Sequence, residues 1–314
     1  MTLEQILEDL KTDRIKKCIL DSDMYNEMDD QYALAYCIGN PKIDLLSVNA
    51  APFYNERVES FELGMEASYA EALRILKICG KADSVPVYKG STTRFTAQNG
   101  FMPINSPAAN NIINTVKESN EIIYILAIGC CSNITSAILM DPCIKNNICV
   151  IWLGGHELDF ENCDECNLSH DYIAGQLLLN SGVPLIMLPA WGNSPGTGGT
   201  RQIVIYHEDL NSIKGNGTAQ KFFREEFPAE YVSGKNNNIP FLIWDKGMHR
   251  ILWDIAAPAV ISIPDAFDFS IIPAPIFTDN KVYAFDQTRH KIIYMKKLDK
   301  NAVTDDAWRS ISNI

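Results

Sequence analysis

Positive charge is scarce in this chain. Its 27 Lys and Arg residues stand against 39 Asp and Glu, a formal net charge of −12. No basic footprint for a phosphate backbone exists, so nucleic acid is excluded as the expected partner. Long apolar runs are also missing. Nothing approaches the roughly 20 apolar residues of a membrane-spanning helix, and no membrane partner is expected. The opening Met1-Thr2-Leu3-Glu4-Gln5 is acidic rather than basic and then apolar, so a cytoplasmic location is expected. No internal repeat, low-complexity segment or clear linker divides the 314 residues, and one domain over 1–314 is expected. The nine cysteines are unevenly spaced and read as reduced thiols. Cys163 and Cys166 form a CxxC without the second pair of a zinc finger. They read as loop and core thiols, with a redox role as the minority alternative.

Acid, by contrast, is concentrated in one place. Asp21, Asp23, Asp29 and Asp30 fall within ten positions, after the apolar Cys18-Ile19-Leu20 and before a helix-like Tyr32-Ala33-Leu34 pattern. Carboxylates this close repel one another, and a hard cation such as Ca²⁺ or Mg²⁺ neutralises them most simply. Asp is also common at helix starts, and that accounts for Asp29 and Asp30 without any function. It does not account for Asp21 and Asp23, which stand where a strand ends.

Short apolar runs alternate with helical periodicity over the first two thirds of the chain. Strands are expected at 15–20, 43–50, 85–88, 122–128, 148–153 and 184–188. Helices are expected at 29–38, 57–79, 108–116, 133–139 and 172–179. The long one at 57–79 sets Leu63, Ala67, Ala70, Leu73 and Leu76 on one face. This is the pattern of an α/β fold, a mainly parallel central sheet flanked by helices in a Rossmann-like architecture. After Leu188 comes an irregular Gly/Pro-rich stretch, 189–199. Helices at 219–227 and 241–253, strands at 267–272, 281–285 and 291–295, and a helix at 305–311 are expected beyond it. The loops after the strands gather acids and amides on one sheet edge, which suits a polyol or sugar held over a cation.

In order along the chain, these motifs resemble the nucleoside hydrolases, the inosine-uridine-preferring nucleoside N-ribohydrolases. The Asp-rich first loop with its Ala-Leu-Ala helix opens the resemblance. Asn40 to Val48, Asn55, Leu126 to Asn133, Val150 to Gly155, Glu165-Cys166-Asn167 with Asp171, and Trp253-Asp254 continue it. The resemblance spans residues 15 to about 270. It implies that Asp23, Asp30 and Asp254, with the backbone carbonyl of Ile128, ligate Ca²⁺. Two ribose hydroxyls and a water complete the shell. Asp23 is then also the general base on that water, and Asp21 supports the loop from behind. Asp29, Asn55, Glu165 and Asn167 hold ribose hydroxyls. The implied reaction cleaves the N-glycosidic bond of a ribonucleoside through an oxocarbenium-like sugar, and the implied assembly is a homodimer or homotetramer.

Two departures stand out. The family loop usually reads Asp-x-Asp-x-Gly-x-Asp-Asp, whereas two extra residues separate Asp23 from Asp29 here, with Asn26-Glu27 replacing the glycine region. Glu27 reads equally as a cleft ligand and as a solvent-facing turn acid. Members with a His before the last metal Asp use it to protonate the leaving base; this chain has Trp253, which stacks but does not donate like an imidazolium. Trp191, Tyr54 and Trp244 are further aromatic candidates for a base platform. His156 and His170 fall near the cleft and read first as hydrogen-bonded loop residues. Two rivals remain: a non-catalytic or altered-substrate ribosyl-binding protein on the same scaffold, and an Asp-nucleophile phosphatase using Asp21-Ser22-Asp23. The phosphatase reading leaves Asp29, Asp30 and Glu165-Cys166-Asn167 without a role.

Overall fold

Strand β1 (Lys16–Ser22) is buried on both faces, and the alternation of its side chains divides the core in two. Cys18 and Leu20 enter one apolar cluster and Ile19 the other. Two covered faces are the condition for a buried parallel strand. A computed structural model describes residues 1–99, 101–193, 198–232, 244 and 246–314. The strands that follow are β2 (Ile43–Ala50), β3 (Val87–Lys89), β4 (Ile123–Ala127), β5 (Ile148–Leu153) and β6 (Leu185–Leu188). They lie in the order β3-β2-β1-β4-β5-β6, all parallel. The strand Lys291–Leu298 extends the sheet in parallel beside β6, and Phe267–Pro273 closes it antiparallel, giving eight strands.

The helices α1 (Leu3–Lys11), α2 (Asp29–Gly39), α3 (Phe61–Ile78), α4 (Pro107–Glu118), α5 (Ser132–Met140), α6 (Cys166–His170) and α7 (Tyr172–Asn180) precede or connect these strands. Capping residues fix several starts. Ser60 accepts from the Leu63 N–H, and Ser106 caps α4 with Pro107 in its first turn. The chain leaves β1 toward β2 on one side and returns to β4 on the other. Between β1 and β4 the strand order therefore reverses, and the crevice beyond their C-terminal ends is where this topology places ligands. The acidic loop after β1 and the turn after β4 both open there.

Five expectations change. β1 continues to Ser22, so Asp21 belongs to the strand rather than to the loop. Helix α3 buries Gly64, Met65, Ser68, Ala72 and Ile75, while Leu63 and Leu73 are exposed. Gly64 sets this rotation, because a Cβ there would stand 2.0 Å from the Phe53 carbonyl oxygen. Of the helix expected over 241–253, residues 241–243 and 245 lie outside the described residues. The rest forms no α-helix: His249–Ile251 pairs antiparallel with Val204–Tyr206, and a single 3₁₀ turn covers Trp253–Ile255. The helix expected at 305–311 starts earlier, running over Lys300–Ser312 behind an Asp299 cap. The strand expected at 281–285 is reduced to Tyr283–Ala284, which pairs with Ile276–Phe277 in a two-stranded sheet apart from the main one.

Candidate active site

The first carboxylates owe their positions to the end of one strand and the start of one helix. Asp21, at the end of β1, accepts a hydrogen bond from Asn133 Nδ2 at 3.2 Å, and its backbone carbonyl accepts from the Ile128 N–H. Asp23 follows β1, next to Gly129. A Cβ on Gly129 would come within 2.9 Å of the Asp23 nitrogen and 3.1 Å of Asp23 Oδ1, so this approach requires glycine. Asp29 and Asp30 form the first turn of α2, where the helix dipole favours negative charge. Ser22 Oγ donates to Asp30 Oδ1 at 2.5 Å. Asp254 stands in the short turn before the helix Ala256–Ser262, and its N–H donates to Asp29 Oδ2 at 3.2 Å.

Carboxylate oxygens of Asp29, Asp30 and Asp254 lie within 4.8 Å of one another. All three residues are buried, at 3%, 2% and 4% exposure. They open on a cleft that is also lined by Asp23, Asn26, Glu27, Ile128, Glu165, Cys166, Asn167, Trp191 and Trp253. Burial pushes the Asp30, Asp21 and Glu165 carboxyls up to about 7. Asp23, Asp29 and Asp254 are driven well above the ordinary carboxylate range, first by burial and then by their acidic neighbours. Oxygen is the common donor type of this cluster, so the residues fit a hard cation and not a thiophilic one.

The sugar-binding candidates do not all reach the cleft. Glu165 caps α6: its carboxylate accepts from the N–H groups of Asn167, Leu168 and Gly155. Asn167 Nδ2 donates to the carbonyls of Ile128 and Leu153, at 3.1 Å each, and ties the turn after β4 to the end of β5. Asn55 turns aside and donates to Asn26 Oδ1 at 2.8 Å. Asp171 accepts from Ser132 Oγ and from the N–H groups of Phe95 and Ala174, a bracing role behind the site.

The aromatic candidates separate. Trp191 and Trp253 line the cleft, ring centroids 5.5 Å apart and tilted by 42°, with the Arg201 guanidinium 4.2 Å over Trp191. Trp244 is buried in the core against Tyr32, and Tyr54 is exposed against Phe61. Burial lowers both His156 and His170 to about 4, which favours the neutral imidazole over the imidazolium near neutral pH. His156 Nδ1 accepts from the Trp191 N–H, and His170 Nδ1 from the Tyr54 N–H. Two cleft residues had little sequence signal. Cys166 is legible as part of the CxxC and as the middle of Glu165-Cys166-Asn167, and Asn26 as one of the acids and amides of the loop after β1, but neither carries a role in the sequence. Cys163 and Cys166 are both free thiols.

A family model described as inosine-uridine preferring nucleoside hydrolase matches residues 18–270. The chain belongs to that family. Among relatives of this nucleoside hydrolase family, the pyrimidine-specific ribonucleoside hydrolase RihB of Escherichia coli O1:K1 / APEC is 28% identical over 197 residues. That match covers 55% of this chain and 59% of the relative, so it spans about three fifths of the relative's length. A plant nucleoside hydrolase, the PpNRh1 enzyme, superposes with a TM-score of 0.71 at 18% identity, over 96% of this chain and 100% of that one. A purine-preferring ribonucleoside hydrolase from Gardnerella vaginalis does so with a TM-score of 0.70 at 22% identity, over 95% and 98%. These two structures show that the nucleoside hydrolase-family fold is shared. Among the described residues, no helix is long and apolar enough to cross a membrane.

Proposed function

We propose that this chain hydrolyses the N-glycosidic bond of a ribonucleoside, releasing ribose and a free base, with Ca²⁺ as cofactor. One observation carries the reading. The neighbouring Asp29 and Asp30 and the sequence-distant Asp254 bring carboxylate oxygens within 4.8 Å of one another in a cleft shared with Asp23 and Asn167. Asp29, Asp30 and Asp254 would hold the cation, with Asp23 and the Ile128 carbonyl as neighbouring oxygen donors. This set enlarges the expected one by Asp29, for which the resemblance implies a sugar contact. When bound, the cation would orient sugar hydroxyls and lower the pKa of a water molecule.

The chain's own groups do the rest. Asp23 accepts the proton of the attacking water as general base. Asn167 and Glu165 hold the sugar end, and the acidic cleft stabilises the positive charge that develops on the ribosyl ring. Asn55 reaches the site only through Asn26, onto which its amide is hydrogen-bonded. Trp253, with Trp191 beside it, stacks on the leaving base. A cytoplasmic homodimer or homotetramer accompanies this reading, to be checked by light scattering.

The test is release of reducing ribose from a panel of purine and pyrimidine nucleosides, with added Ca²⁺ and with a chelator. Calcium-dependent release is expected. No histidine is among the described residues lining the cleft, where Trp253 precedes Asp254, and this favours one alternative, a ribosyl-binding protein without turnover. Calcium-dependent nucleoside binding with no ribose released identifies that case.

A further inference from the structure

The loop between Asp23 and Asp29 holds two residues more than the family pattern, and one residue of that longer loop touches Asp23 directly. Asn26 is 6% exposed and lines the cleft. Its Nδ2 donates to Asp23 Oδ2 at 3.0 Å, and its backbone N–H donates to the Asp23 carbonyl at 2.6 Å. Asn26 is itself held. Its Oδ1 accepts from Asn55 Nδ2 at 2.8 Å, and its carbonyl accepts from Arg57 Nη1 at 2.7 Å. The amide nitrogen also faces Cys166 Sγ at 3.7 Å and His170 Nε2 at 3.4 Å. The contacts to Asp23 and to Asn55, whose own Oδ1 accepts from the Arg57 N–H, favour this orientation of the Asn26 amide. Reversed, its oxygen would meet the carboxylate oxygen of Asp23 and its nitrogen would meet the donor nitrogen of Asn55.

We propose that Asn26 is a positioning residue for Asp23, and that Asn55 acts through Asn26 rather than on the sugar. A terminal carboxylate torsion is soft, so an unrestrained aspartate turns easily. Here Asn26 fixes Oδ2, and Gly129 leaves room for Oδ1 on the other side. One oxygen is anchored and the other is left for the reacting water. The relay runs Asn55 to Asn26 to Asp23, and the longer loop supplies its middle member. The inference rests on Asp23 being the general base of the proposed hydrolase.

The experiment compares Asn26→Ala, Asn55→Ala and the double variant with the wild type by steady-state kinetics, melting temperature and crystal structure. A misplacement of about an ångström costs on the order of 100-fold in rate. Asn26→Ala is therefore expected to lower kcat by about 10- to 100-fold, with KM within about twofold and an unchanged melting temperature. Asn55→Ala is expected to lower kcat by a smaller factor with KM again unchanged. The double variant should match Asn26→Ala alone, because the two residues act in series. Asn26→Asp, which keeps size and loses the donor, should behave like Asn26→Ala.

A raised KM with unchanged kcat in Asn55→Ala would overturn the relay and return Asn55 to the sugar. An unchanged kcat in Asn26→Ala would overturn it as well. If either variant melts early, the crystal structure decides: a shifted Asp23 carboxylate supports the relay, and an unmoved one overturns it. A wild type that releases no ribose defeats the hydrolase reading instead. The relay is then judged on the same Asp23 position in the Asn26→Ala crystal.

Discussion

The Asp254 N–H donates to Asp29 Oδ2 at 3.2 Å, joining residues 225 positions apart. Two helix starts, at α2 and before Ala256–Ser262, are thereby locked face to face with their acids between them. Asp254→Asn keeps this backbone contact and removes one charge from the cluster. Even supporting partners of metal ligands cost about 10- to 100-fold in affinity when lost. Asp254→Asn is expected to weaken Ca²⁺ by about 100-fold or more in calorimetric titration, with the far-ultraviolet spectrum unchanged.

Asp23 is buried among like charges, and burial is the main reason its carboxyl is held well above the ordinary range. Replacement by Asn removes a base and a source of repulsion together. Asp23→Asn is expected to lose about 10²- to 10⁴-fold in kcat while melting no lower than wild type. Near-wild-type turnover would remove Asp23 from the role of base.

Stability should depend on pH and on the cation together. Asp21, Asp30 and Glu165 have folded values near 7, above those of an unfolded chain. The folded state then holds more protons across this range. The stability it gains is full below the unfolded values, near 4, and is lost as pH rises toward and through 7. Depressed acids such as Asp9 and Asp141 act below that window. In chelator, the melting temperature should fall between pH 5 and pH 8. Calcium needs ionised carboxylates, so its stabilising effect should be larger at pH 8. Thermal scans at both values, with and without Ca²⁺, check this; equal calcium shifts would contradict it.

Trp253 and Trp191 offer the cleft two indoles, and Arg201 occupies one face of Trp191. Base stacking on an aromatic side chain is worth about 1–3 kcal/mol when removed to alanine. Trp253→Ala is expected to raise KM for the preferred nucleoside by about tenfold, and Trp253→Phe to restore most of it. A change confined to kcat would mean that the indole acts on the transition state and not on binding.

Much of this arrangement was legible from sequence because it is local. The strand-to-acid-to-helix succession at Asp21 to Asp30 encodes its own geometry, and the alternation of apolar runs gives the parallel sheet. Glu165 and Asp171 were legible as acids, and both prove to cap helices. What was not legible depends on partners distant in sequence. The rotation of α3 follows from Gly64 against Phe53. His249–Ile251 is extended because Val204–Tyr206 lies beside it. The redirection of Asn55 onto Asn26 depends on the path of a loop, which no periodicity reveals.

The strand Lys291–Leu298 sits between β6 and Phe267–Pro273, although both of those precede it in the chain. During synthesis, then, Phe267–Pro273 leaves the ribosome before the neighbour that joins it to the sheet. Until residues beyond 290 follow, the outer edge of Leu185–Leu188 lacks its native partner and offers bare N–H and C=O groups to any stray extended segment. A ribosome halted just before Lys291 would hold all the clustered carboxylates on a scaffold with an open seam. Premature termination there would be more damaging than its sequence distance from Asp254 suggests.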